Sequence, residues 1–198
     1  SPNGKISVDQ KNGSIEITYK QGKNVQTVMA MPIGSEATYT KAKKVKVAYD
    51  MTLGKKSHCT NAYNEIVYTL GDGKNLTVRA YNDGVAWSGL HDYNVNFTSA
   101  SANWLLKWTD SYEGFFPRNR ETKKDGRLAY PALFEYSGNV FALLSESCMK
   151  ADNAGTSMYA DDNKGIFSLR PDGKENGGWQ TLIIGSMADV VESTLITD

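Results

Sequence analysis

Apolar and polar residues alternate in short runs along most of the chain, the two-residue period of a strand with one face buried. The pattern is clearest over residues 64–90, where NEIVYTL, NLTVRAY and VAWSGL are separated by Gly71-Asp72-Gly73 and Asn82-Asp83-Gly84. Turn residues between alternating runs predict an antiparallel meander. In its first strand Ile66, Tyr68 and Leu70 share a face; in its second Leu76, Val78 and Ala80 share one, with Thr77, Arg79 and Tyr81 opposite. KISVDQ and SIEITYK flank Lys11-Asn12-Gly13, which predicts an opening hairpin because Asn-Gly readily takes the positive φ of a tight turn.

Further runs follow at YNVNFT, WLLKW, ALFEY, NVFALLS, GIFSLR and WQTLIIG, again bounded by turn formers such as Ser137-Gly138-Asn139 and Pro171-Asp172-Gly173. About a dozen strands in one chain predict an all-β fold, either two packed sheets or a barrel. The helical signal is confined to the short MADVVES segment. Trp104, Leu106 and Trp108 alternate, so they are expected together on a core face. Residues 110–127, DSYEGFFPRNRETKKDGR, break every period and read as a long loop with aromatics among charges. Such a loop is first of all a solvated connection, but long loops on rigid β scaffolds often carry binding function, and Tyr112 and Phe115 are its candidate surface aromatics.

Composition narrows the function. The chain has 198 residues, with 22 Lys plus Arg against 22 Asp plus Glu, and this balance argues against a nucleic-acid partner held by a basic field. Hydrophobic residues at 40% and charged residues at 22% place it among chains that fold. No composition shift marks a linker, so a single domain is expected across residues 1–198. The longest apolar stretches fall far short of the roughly 18 residues of a membrane span. The opening SPNGKISVDQ has neither a signal-peptide pattern nor an initiating Met, so a chain lacking its leader is expected.

Catalytic motifs are scarce. Gly71-Asp72-Gly73 leads into a strand rather than a helix, which makes it a turn and not a phosphate loop. His58 and His91 stand alone, and no GxSxG elbow is present. Asp161-Asp162-Asn163 and Asp152-Asn153 lack the alternating ligands of an EF-hand and read as turns. Cys59 and Cys148 make no zinc spacing with two His, and two buried free thiols are favoured over a bridge. The residues by themselves therefore describe a β domain without an active site.

Four segments in order carry a resemblance: SPNGKISV at the start, LTVRAYNDGVAW at 76–87, VFALLSES at 140–147 and WQTLIIGSMADVVESTLITD at 179–198. Together they resemble the N-terminal domain of glycoside hydrolase family 97, the calcium-dependent α-glucosidases and α-galactosidases of Bacteroides-type bacteria. The resemblance covers essentially the whole chain. It implies a mainly antiparallel β-supersandwich of the galactose-mutarotase-like kind. It also implies a partner, a (β/α)8 barrel carrying the catalytic carboxylates, which needs about 250 residues and is absent here.

The resemblance further implies a metal role for Glu146, which matches the Glu that this domain donates to calcium at the junction. The family's preceding His is Ser145 here. Calcium takes six to eight oxygens, so it is expected only in the intact enzyme, shared with barrel residues. The loop from Tyr112 to Arg120 matches a region near the barrel mouth, which adds Glu113 and Arg118 to Tyr112 and Phe115 as candidate carbohydrate contacts. Arg79 and Asp83 fall in the matching segment and are read as structural. Export to the periplasm or outer surface is implied by the family alone.

Three functions remain in view: a non-catalytic domain of an enzyme acting on α-linked glycans, a stand-alone carbohydrate-binding module, and a structural interaction domain without ligand. An oligosaccharide is the expected ligand of the first two.

Overall fold

The computed structural model describes residues 1–52, 56–110, 114–123, 126–147, 155–162, 164–171 and 178–196. The opening hairpin forms as expected: β1 (Ile6–Lys11) pairs with β2 (Ser14–Gln21), and Lys11 faces Ser14 across a two-residue turn. Asn12 and Gly13 take φ of 49° and 74° there, the pair of positive values that this turn requires. β3 (Asn24–Pro32) follows, then the two-residue β4 (Thr38–Tyr39) and β5 (Lys43–Asp50). The expected meander is β6 (His58–Thr69), β7 (Asn75–Ala80) and β8 (Gly84–Ser88).

β9 (Tyr93–Asn96), β10 (Ala102–Lys107), β11 (Arg127–Tyr136) and β12 (Val140–Ser147) continue the chain. β13 (Thr156–Ala160), β14 (Ile166–Pro171) and β15 (Trp179–Gly185) complete the strands, and α1 (Met187–Glu192) closes the described elements.

Among the described residues, all 15 strands belong to one antiparallel sheet in the order β1-β2-β3-β9-β14-β13-β11-β12-β15-β8-β7-β6-β4, with β10 added to β11 and β5 to β6. The sheet curls until its ends meet. Asn3 N–H donates to Asn82 Oδ1 at 2.9 Å, its side-chain amide donates to Asn82 O at 3.3 Å, and Ile6 and Val8 face Ile66, Val78 and Ala80 across the seam. Curling buries one face of nearly every strand in a common core that includes Ile15, Ile17, Tyr68, Leu76, Trp87, Phe97, Phe134, Leu144 and Leu182. Phe97 and Phe134 stack at its centre with ring centroids 3.9 Å apart. This burial is the main driving force holding the two halves together.

Two smaller clusters sit outside the curl. Tyr63, Tyr81 and Ala86 pack with Val45, Trp179 and Leu195, and Phe141, Ile183 and Val190 pack with Trp104, Leu133 and Leu143. The expected common core face for Trp104, Leu106 and Trp108 is therefore corrected. Alternation along β10 turns Leu105 into the main core and Trp104 onto the outer cluster against Phe141, Leu106 is buried outside the main core, and Trp108 lies beyond the strand beneath Arg127. Cys59 is a buried free thiol, and Cys148 lies outside the described residues.

Candidate functional site

Residues 118–120 of the 110–127 loop are fastened to the free edge of β10 instead of standing in solvent. Asn119 N–H donates to Asn103 O at 2.6 Å and Asn103 N–H donates to Asn119 Oδ1 at 3.2 Å, so the loop pairs with an otherwise open strand edge. Arg120 Nε donates to Leu105 O at 2.7 Å and its Nη2 to Phe115 O at 3.3 Å, tying the tip back to the strand. Arg118 lies with its guanidinium 5.7 Å from the Trp104 ring centre and Nη2 3.3 Å from Glu135 Oε2. Phe115 is left 91% exposed. Of the four expected carbohydrate contacts, Phe115 and Arg118 are thus on the surface, and Tyr112 and Glu113 lie outside the described residues.

Glu146 occupies a different place. Along β12 Val140, Ala142 and Leu144 point into the core, and the two-residue period carries Glu146 to the same side at the strand end. Trp104, Phe141 and Leu143 mark the opposite side, which is the side Arg118 covers. Arg118 and Glu146 therefore lie on opposite faces of the sheet.

Around Glu146 the interior is polar. Gln180 is its register partner on β15 and is 2% exposed. Tyr130 O–H donates to Gln180 Oε1 at 2.8 Å, and Gln180 Nε2 donates to Thr156 Oγ1 at 2.8 Å. Trp87 Nε1–H donates to Tyr93 Oη at 2.8 Å. Burial pushes both tyrosine hydroxyls well above their ordinary value; for Tyr93 the Trp87 bond opposes this, and for both the nearby Glu146 charge adds to it. Both therefore stay neutral donors at ordinary pH. This network escaped sequence reasoning, although one signal was available: Gln180 in WQTLIIG shares its phase with the apolar Leu182 and Ile184.

Glu146 offers a single carboxylate, where a hard cation such as calcium takes six to eight oxygens. Its carboxylate is half-buried with Oε2 inside, but no cluster of three or more His, Cys, Asp or Glu exists among the described residues. The remaining oxygens of a calcium shell would have to come from elsewhere. Asp161, from the acidic turn considered above, sits 3.9 Å from Lys164 Nζ.

Arg79 behaves as a structural residue. Its Nε donates to Glu65 Oε2 at 2.9 Å, and its guanidinium lies 4.8 Å from the Tyr63 ring centre and 4.2 Å from that of Trp179. Asp83 does more than turn the chain: its Oδ2 accepts from Ser193 O–H at 2.6 Å and holds the segment after α1. His58 is exposed and pairs with Asp50 at 2.6 Å.

Solved structures share this architecture. A glycoside hydrolase family 97 enzyme from a Pseudoalteromonas strain, solved as a variant with panose, superposes with a TM-score of 0.71 at 16% identity over 99% of this chain and 37% of that one. The enzyme with acarbose gives the same TM-score, identity and coverage. A β-arabinopyranosidase superposes with a TM-score of 0.76 at 15% identity, over 98% of this chain and 41% of that one. The likeness carries the fold, an all-β, strongly curled antiparallel sheet of the galactose-mutarotase-like kind. This chain thus spans about two fifths of the length of those proteins. No curated protein matches the sequence. The family model described as glycosyl-hydrolase 97 N-terminal matches residues 1–198, and the chain belongs to that family of N-terminal domains.

Proposed function

We propose that the chain works as the non-catalytic N-terminal domain of a glycoside hydrolase acting on α-linked glycans, packing on a (β/α)8 barrel of the same polypeptide. The observation that carries this reading is the family match across residues 1–198, supported by the fold shared with larger enzymes bound to panose and acarbose. In this reading Glu146 contributes one carboxylate to a calcium ion whose other ligands the barrel supplies. The ion would neutralise the half-buried charge and join the two domains. Export to the periplasm or outer surface belongs to the same proposal.

The test is calcium titration of the complete polypeptide by calorimetry. Glu146→Ala is expected to weaken calcium binding by about tenfold or more, with the fold retained by circular dichroism. Unchanged calcium affinity in Glu146→Ala would remove the metal role.

A second reading, a stand-alone carbohydrate-binding module, is favoured by the exposure of Phe115 alone. It requires maltotriose to bind the 198-residue chain and Phe115→Ala to abolish that binding. Domain function within an enzyme does not require this.

A further inference from the structure

Charge is balanced over the whole sequence but not over its surface. Two cavities of about 340 and 310 Å3 lie side by side at the β13 end of the sheet and share Ala160 in their walls. Lys107, Arg120, Lys123 and Arg127 line one, and Arg170 lines the other. Among the described residues, the carboxylates lining this double trough are Glu121 and Asp161, and Asp161 is already 3.9 Å from Lys164 Nζ. Among the described residues, no ion pair joins Lys107, Lys123, Arg127 or Arg170 to a carboxylate. The positive charge is concentrated where the walls are concave, which strengthens its field on a ligand.

Two of the cations are set in place by aromatic rings. Arg127 lies 4.2 Å from the Trp108 ring centre and Arg170 lies 4.4 Å from that of Tyr159. Arg127 and Tyr159 face each other in register across β11 and β13, so the two stacks are neighbours. A guanidinium stacked on a ring keeps its N–H groups in its own plane, where they meet a planar carboxylate with two parallel bonds. Arg127 Nε is buried and has no hydrogen-bond acceptor among the described residues. Asn94 and Ser168, opposite one another on β9 and β14, add neutral hydrogen-bonding groups to the second cavity.

We infer that this trough binds an acidic oligosaccharide, with sugar carboxylates on Arg127 and Arg170 and ring hydroxyls on Asn94 and Ser168. Each cavity lies at the lower end of the size range of small-ligand sites, which suits one sugar ring in each. The glycan part rests on the proposed function above; the anionic part rests on the charges of the trough.

The test is calorimetry on the 198-residue chain with trigalacturonate, maltotriose and sodium sulfate. Trigalacturonate is expected to bind, to weaken as salt rises from about 50 to about 300 mM, and to go uncontested by maltotriose. Its affinity should fall about tenfold or more in Lys107→Ala/Lys123→Ala/Arg170→Ala, with Lys107→Glu as a second variant should the triple change fold poorly. No binding of trigalacturonate, equal binding by the variants, competition by maltotriose, or sulfate binding as tightly as trigalacturonate would overturn the inference. Calcium binding by the complete polypeptide does not depend on this trough, so failure here leaves the proposed function standing.

Discussion

Gln180 shows how much a single buried amide can control. It is the acceptor for Tyr130 O–H and the donor to Thr156, in a small polar patch of a mainly apolar core. Gln180→Leu keeps the size but leaves both hydroxyls without that partner, and unsatisfied buried groups are costly. The expected loss is about 2–4 kcal/mol, read as a lowered urea midpoint with an unchanged slope. Asp189 makes a second prediction at this scale. Ser186 N–H and O–H both donate to Asp189 Oδ2 at 2.7 Å, and Asp189 N–H donates to Ser186 Oγ at 3.2 Å, a capping box on α1. The Ser186 bonds hold the Asp189 carboxyl below its ordinary 3.8. A lowered folded value means the stabilisation is present above the unfolded value and is lost as pH falls below it. Asp189→Ala should therefore cost about 1 kcal/mol near pH 6 and progressively less toward pH 3, measured by thermal melts. A gap that widens in acid would contradict the capping role.

At the scale of elements, β7 carries the outer cluster through Arg79, whose guanidinium rests between the Tyr63 and Trp179 rings and on Glu65. Arg79→Ala removes both ring contacts and leaves Glu65 with Lys43 at 3.5 Å. A loss of about 1–3 kcal/mol is expected, with a Glu65→Gln double-mutant cycle assigning part of it to the pair. Elements with clean alternation and strong turns were legible before the structure: the opening hairpin, the β6-β7-β8 meander, β12, β14, β15 and the short helix all fall where the sequence pattern puts them. β3, β4, β5 and β13 were not, and each hides for a local reason. In β3 a register shift opposite Ile17 and Thr18 turns Val28 and Met29 both inward, which breaks the two-residue period. β4 is two residues long, and β5 is an edge strand exposed along most of its length, with Lys at 43, 44 and 46. In β13 Thr156, Ser157 and Met158 are consecutively buried, so polarity does not mark the inward face.

Closure belongs to the whole molecule. The pattern predicts strands and their faces, but nothing local in SPNGK or in Asn82-Asp83-Gly84 announces that Asn3 and Asn82 will meet across 79 positions to join the ends of one sheet. Long-range order of this kind was accessible through the ordered family segments and not through periodicity. The candidate sites divide similarly. Glu146 and Arg118 were nominated by matching segments, yet their placement on opposite faces of the sheet depends on the phases of β12 and β10 and on the bridge between Trp104 and Arg118. The cationic trough gathers Lys107 and Lys123 with Arg170 through folding alone, which is why a net charge of zero gave no warning of it. On the proposed function this chain binds and supports and does no chemistry by itself. The most direct test is to incubate the purified 198-residue chain, with calcium, with an aryl α-glucoside and follow release of the aryl group. No turnover above the buffer blank is the predicted result; turnover that Glu146→Ala abolishes would contradict it.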